Sequence, residues 1–164
     1  MTTKKKVFTS FDVDHDEAAK ILLAEQARLP DSPFEITDVS EREPLSGDWG
    51  DKVRHRMDNI DVVIVICGED AYLAKGVAAE LTIAQEKNTP YFLLTAYANR
   101  TCTRPTSAMP SDKVYEWTWD NLKTLIGGWR YRTMRSRKMG QATFLAAFVS
   151  RPGLCSIDVR LCAK

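Results

Sequence analysis

Residues 60–67, Ile-Asp-Val-Val-Ile-Val-Ile-Cys, constrain the fold of this chain more than any other segment. Their β-branched residues follow one another without alternation, whereas a strand with one face in water alternates apolar and polar positions. An unbroken apolar strand is stable where both of its faces are covered, the setting found in a parallel sheet flanked by helices. The segment therefore belongs in the middle of such a sheet.

The rest of the chain supplies the other elements. Residues 6–11, 34–39, 90–95 and 113–117 read as further strands. A first helix follows Asp14 or Asp16, either of which can cap it, and runs to about residue 29, with Ala18, Ile21, Leu22, Ala24 and Leu29 mostly on one side. Pro30-Asp31-Ser32-Pro33 ends it. Trp49, Val53, Met57 and Ile60 recur at helical intervals, residues 75–87 and 120–126 give two more helices, and residues 97–112, with Pro105 and Pro110, read as a loop. Strands alternating with helices predict an α/β, flavodoxin-like, doubly wound five-stranded parallel sheet with helices on both faces. Ligands of such sheets bind beyond the carboxyl ends of the strands, where the strand order reverses. The loops after residues 11, 39, 67 and 95 are the ones to search.

Several classes are excluded. With 164 residues, one domain with a sizeable core is expected. The formal net charge of +1 hides a division: residues 1–126 carry −6 and residues 127–164 carry +7. A domain at 1–126 is thus followed by a basic extension at 127–164, with Gly127-Gly128 at the boundary. The four cysteines share no C-x-x-C spacing and only two histidines accompany them, so no disulfide framework, zinc site or other metal centre is expected. The lysines at 4–6 are followed by Asp12, Asp14 and Asp16 rather than by a signal-peptide core, and no apolar run approaches the roughly 20 residues that span a bilayer. A cytoplasmic protein with no membrane partner is expected, and nucleic acid is not an expected partner. Phosphate-loop and dinucleotide glycine motifs are absent, as is the G-x-S-x-G elbow. The acids after the first strand invite comparison with receiver domains, but the third strand ends in Cys67-Gly68, without an acceptor aspartate. Asp14 and Asp16 then read as caps that interact favourably with the helix dipole.

The helix at 75–87 is the most informative for function. At 100° per residue, Val77, Leu81 and Ala84 form its buried stripe, Glu86 lies opposite, and Glu80 falls at the edge of the stripe. A carboxylate there can snorkel along the helix flank, or it can face a crevice next to the switch in strand order.

Four features resemble the TIR-like family of prokaryotic antiviral defence, including the TIR component of Thoeris systems. They are Lys6-Val-Phe-Thr-Ser-Phe-Asp12, the strand at 60–68, Ala79-Glu80-Leu81 with Ala84, and Tyr115-Glu-Trp-Thr-Trp119. The resemblance covers residues 4 to about 126. It implies an enzyme that cleaves NAD between nicotinamide and ribose, with NAD as substrate and no further cofactor, and with Glu80 as the catalytic residue. It also implies that Ser10, Phe11, Asp12 and Trp49 bind the substrate. Trp49 has a competing explanation, since it continues the apolar stripe of its own helix. By the same resemblance the product is a cyclic or linear ADP-ribose signal that reaches a separate effector, and the protein is a homo-oligomer whose 38–49 loop makes the contact. Two alternatives are a non-catalytic TIR-like module that acts by self-association and a nucleoside-transferring relative with a carboxylate nucleophile.

The resemblance does not extend to the basic extension. Its Arg-rich stretch at 129–138 and apolar run at 142–149 can pack on the acidic body, bind a partner, or form a variable appendage.

Overall fold

All six residues of Val62–Cys67 are buried, and the strand they form lies at the centre of a five-stranded sheet. The computed structural model describes residues 3–40 and 47–127. The strands are β1 (Lys5–Ser10), β2 (Phe34–Val39), β3 (Val62–Cys67), β4 (Tyr91–Thr95) and β5 (Val114–Tyr115). All neighbouring pairs are parallel, in the order β2-β1-β3-β4-β5. That order defines a flavodoxin-like doubly wound sheet, with its switch between β1 and β3.

The helices are α1 (Glu17–Ala27), α2 (Trp49–Arg56, followed by a 3-10 turn at Met57–Asn59), α3 (Lys75–Glu86) and α4 (Trp119–Gly127). Val62, Ile64 and Ile66 of β3 join Ala19, Leu23, Leu122 and Leu125 in one core, so α1 and α4 cover that face. Val63, Val65 and Cys67 join Val53, Met57, Val77 and Leu81 in the other, under α2 and α3. The apolar surface buried on both faces explains why β3 tolerates no polar position. Burial also pushes the Cys67 thiol up to about 12, which leaves it an inert core residue.

Three expectations need correction. In α1 the buried residues are Ala19, Leu23 and Ala27, while Ile21, Leu22 and Leu29 are 52%, 59% and 43% exposed. Two of the three buried positions are alanines, which let the helix approach the sheet closely, so counting the large apolar side chains selects the wrong side. Asp16 occupies the N-cap position of α1 without a side-chain capping bond, and it is buried at 2% exposure. The fifth strand is two residues long, because Trp117 donates its N–H to the Thr95 hydroxyl (3.1 Å) rather than to a strand carbonyl. The basic extension, apart from Gly127, lies outside the described residues, as do residues 41–46 of the 38–49 loop.

One irregularity positions the site. Val7 pairs with Ile36, but Phe8 pairs with Asp38, so Thr37 is an extra residue on β2. A bulge of this kind reverses which face each later side chain takes. Ile36 and Val39 accordingly both pack on the α1/α4 core although they lie three positions apart, an odd spacing. Asp38 and Ser40 are turned to the opposite face, towards α2 and α3.

Candidate functional site

Ser10 ends β1 on the face covered by α3, fully buried, and its hydroxyl donates to Glu80 Oε2 at 2.6 Å. Ser40, brought to the same face by the bulge, also donates its hydroxyl to Glu80 Oε2. Ser40 in turn accepts the Phe11 N–H at 3.2 Å, and its own N–H bonds the Thr9 carbonyl at 2.9 Å. Three consecutive residues of the first strand and its loop are thereby tied to the end of β2 and to α3.

Glu80 itself is only 2% exposed, deeper than the stripe edge at which helical spacing places it. The sheet face is broad enough to cover the whole Val77–Glu80–Leu81–Ala84 surface of α3. Burial pushes its carboxyl up to about 7, against the opposing pull of the two serine donors and of Arg56. The Arg56 guanidinium is spent on its own partner: Nε and Nη2 bond the two Asp38 carboxyl oxygens at 2.6 and 2.5 Å, and Nη2 also bonds the Val39 carbonyl. Glu80 is thus a carboxyl that burial makes harder to ionise than an ordinary glutamate, with two serine donors opposing that effect.

The carboxyl borders a cavity of about 350 Å³ whose walls include Phe11, Asp12, Ser40, Trp49, Lys75 and Glu80. Of the sequence-predicted residues, Phe11, Asp12, Trp49 and Glu80 therefore share one cavity, and Ser10 reaches it through Glu80. Trp49 serves both explanations offered for it, since it packs with Val53 and Met57 and also forms cavity wall. Asp12 folds back on its own loop, accepting the Asp14 N–H at 3.0 Å and lying 2.9 Å from His15 Nδ1. That carboxylate raises the His15 imidazole above its ordinary range.

Ser40, His15 and Lys75 also line the cavity and are missing from the sequence-predicted set. A strand bulge, which places Ser40, has no mark in the sequence. Lys75 was legible as the first residue of the third helix, adjacent to the switch. Among the described residues, no group of three or more His, Cys, Asp or Glu side chains is arranged to hold a metal ion. No described helix is long and apolar enough to cross a membrane. A second, larger cleft of about 460 Å³, lined by Leu22, Leu29, Ala96 and Trp117 among others, contains no buried titratable group.

No family model matches the chain, and no curated protein matches it. Among solved structures it is similar to the crystal structure of a prokaryotic SEFIR domain, with 17% identity and a TM-score of 0.46, over 74% of this chain and 86% of that one.

Proposed function

We propose that this chain is a TIR-like enzyme that cleaves NAD between nicotinamide and ribose, with Glu80 as its catalytic carboxylate. The observation that carries the reading is the placement of Glu80: buried, held by two hydroxyls, and bordering a cavity at the carboxyl end of β1. Nicotinamide departs as a neutral molecule from a cationic pyridinium, so the reaction needs no general acid and one carboxylate suffices. In this it differs from ordinary glycoside hydrolysis with its pair. The anionic form of Glu80 stabilises the oxocarbenium charge that develops on the ribose, an interaction that gains strength in a site with little water. A cavity of about 350 Å³ suits the nicotinamide-ribose half of the dinucleotide. Phe11 and Trp49 supply apolar wall to it, and Asp12 supplies a polar edge. The product is a cyclic or linear ADP-ribose signal, made for a separate effector in antiviral defence, and the enzyme works as a homo-oligomer.

The test is nicotinamide release by the purified full chain, with and without phage-infected cell extract as trigger. Wild type is expected to release nicotinamide, and Glu80→Gln to do so at least about 100-fold more slowly, a loss of roughly 2.7 kcal/mol of transition-state stabilisation. Equal rates would remove Glu80 from the chemistry. The non-catalytic reading draws on a different observation, the apolar side chains of Ile21, Leu22 and Leu29 left exposed on and after α1. It predicts no nicotinamide release under any trigger, together with self-association that is lost on Leu22→Glu.

A further inference from the structure

Both serine hydroxyls approach the same oxygen of Glu80, Oε2, and among the described residues none donates to Oε1. A hydroxyl has one proton to give. Ser40 already accepts the Phe11 N–H, which fixes its orientation and leaves its proton for the carboxyl. Ser10 is fully buried and has Glu80 as its acceptor. With two donors on Oε2, the lone pairs that no described residue occupies are those of Oε1, on a side chain that borders the cavity.

We propose that Ser10 and Ser40 are positioning residues that together pin Glu80 through Oε2, leaving Oε1 as the single oxygen that meets substrate and that carries the proton whenever the carboxyl is neutral. The proposal rests on Glu80 being the catalytic carboxylate, and it adds how that carboxylate is aimed and kept ionisable. A glutamate held at one oxygen cannot rotate to chelate a substrate diol with both. It therefore offers one directed contact, and the electrostatic effect is concentrated at one point. Hydrogen bonds donated to a carboxylate favour its charged form, so the same two serines oppose the effect of burial. The other charges that act on the group are Arg56 on α2 and Asp38 on β2, which pair with each other. Asp12, His15 and Lys75 border the same cavity.

The experiment titrates Glu80 in the full chain without substrate, following the carbon NMR signal of its labelled carboxyl group, which is identified by its disappearance in Glu80→Gln. Removing one donor to a charged acceptor is expected to raise the midpoint by about one pH unit in Ser10→Ala and again in Ser40→Ala. Ser40→Thr keeps the hydroxyl and is expected to titrate with wild type. In turnover, the rising limb of nicotinamide release against pH moves upward by the same amount, and kcat at pH 7 drops about fivefold with KM little changed. A midpoint unmoved in either alanine variant, or a threonine that titrates with alanine, overturns the proposal. If wild type releases no nicotinamide the NAD reading falls, while the titration still decides whether the serines hold Glu80.

Discussion

Asp16 and Glu80 are each only 2% exposed, one at the start of α1 and the other within α3, and burial raises both carboxyls above their ordinary range. Their surroundings differ. Glu80 receives two hydroxyl protons on one oxygen and borders a cavity. Asp16 lies with both carboxyl oxygens against Gly68 at the end of β3, has the Tyr97 hydroxyl, which donates to the His15 carbonyl, in its neighbourhood, and borders neither cleft. Desolvation perturbs an acid wherever it is buried; an acid becomes useful when one oxygen remains open to a ligand. Asp16 is a packing element joining the first loop to the third strand, whereas Glu80 borders a cavity.

The largest expected effect concerns pH. In the unfolded chain Glu80 titrates near 4.5, and in the folded protein near 7. Below 4.5 both states hold the proton and the group has no effect on stability. As pH rises the unfolded chain releases its proton first, so folding loses free energy until pH passes about 7, and the curve is flat beyond. The loss is about 3 kcal/mol. Urea unfolding of Glu80→Gln should therefore match wild type at pH 4.5 and exceed it by about 3 kcal/mol at pH 8. A difference that does not change with pH would show that Glu80 is not held neutral by burial. A stabler but inactive variant is the usual sign of a group retained for function.

A middle-sized effect tests the other carboxyl. A Cβ added at Gly68 would overlap both oxygens and the carboxyl carbon of Asp16, so no alanine fits unless Asp16 moves. Overpacking of this kind costs about 2 kcal/mol. Gly68→Ala should lose that much in urea unfolding, and Asp16→Ala combined with it should recover most of the loss, a coupling expected only of residues in contact. Additive losses would mean that the two do not touch. Glu80, by contrast, is held by two hydroxyl donors and borders a cavity.

How legible these two acids were in the sequence follows from the same contrast. The doubly wound parallel sheet, with β3 in its middle, is legible because β3 is apolar at every position and helical patterns alternate with the strands. Glu80 stood out because it falls beside the stripe of Val77, Leu81 and Ala84, and the structure moves it inward without changing its face. Asp16 reads as a cap, since a buried acid and a capping acid occupy the same position in sequence and only a neighbour far along the chain, Gly68, distinguishes them. Ser40 was hidden for a different reason. Strict alternation from Phe34 and Ile36 puts Ser40 on the α1/α4 face, and the extra residue Thr37 sends it to the other. A register irregularity depends on pairing between strands, and no period within one strand reports it.

The smallest effect separates burial from function most directly. Asp16→Asn keeps the size of the side chain and removes a charge that its surroundings disfavour. Because its carboxyl is raised in the fold, ionisation of Asp16 also costs stability as pH rises above the ordinary aspartate range, and the amide is free of that cost. The variant should be more stable than wild type at pH 8, by less than Glu80→Gln is, and no more stable at pH 4. Nicotinamide release by Asp16→Asn should equal that of wild type across pH, because no atom of Asp16 borders the cavity. A rate that falls with this substitution while the fold is intact would place Asp16 in the chemistry, although no atom of it borders the cavity.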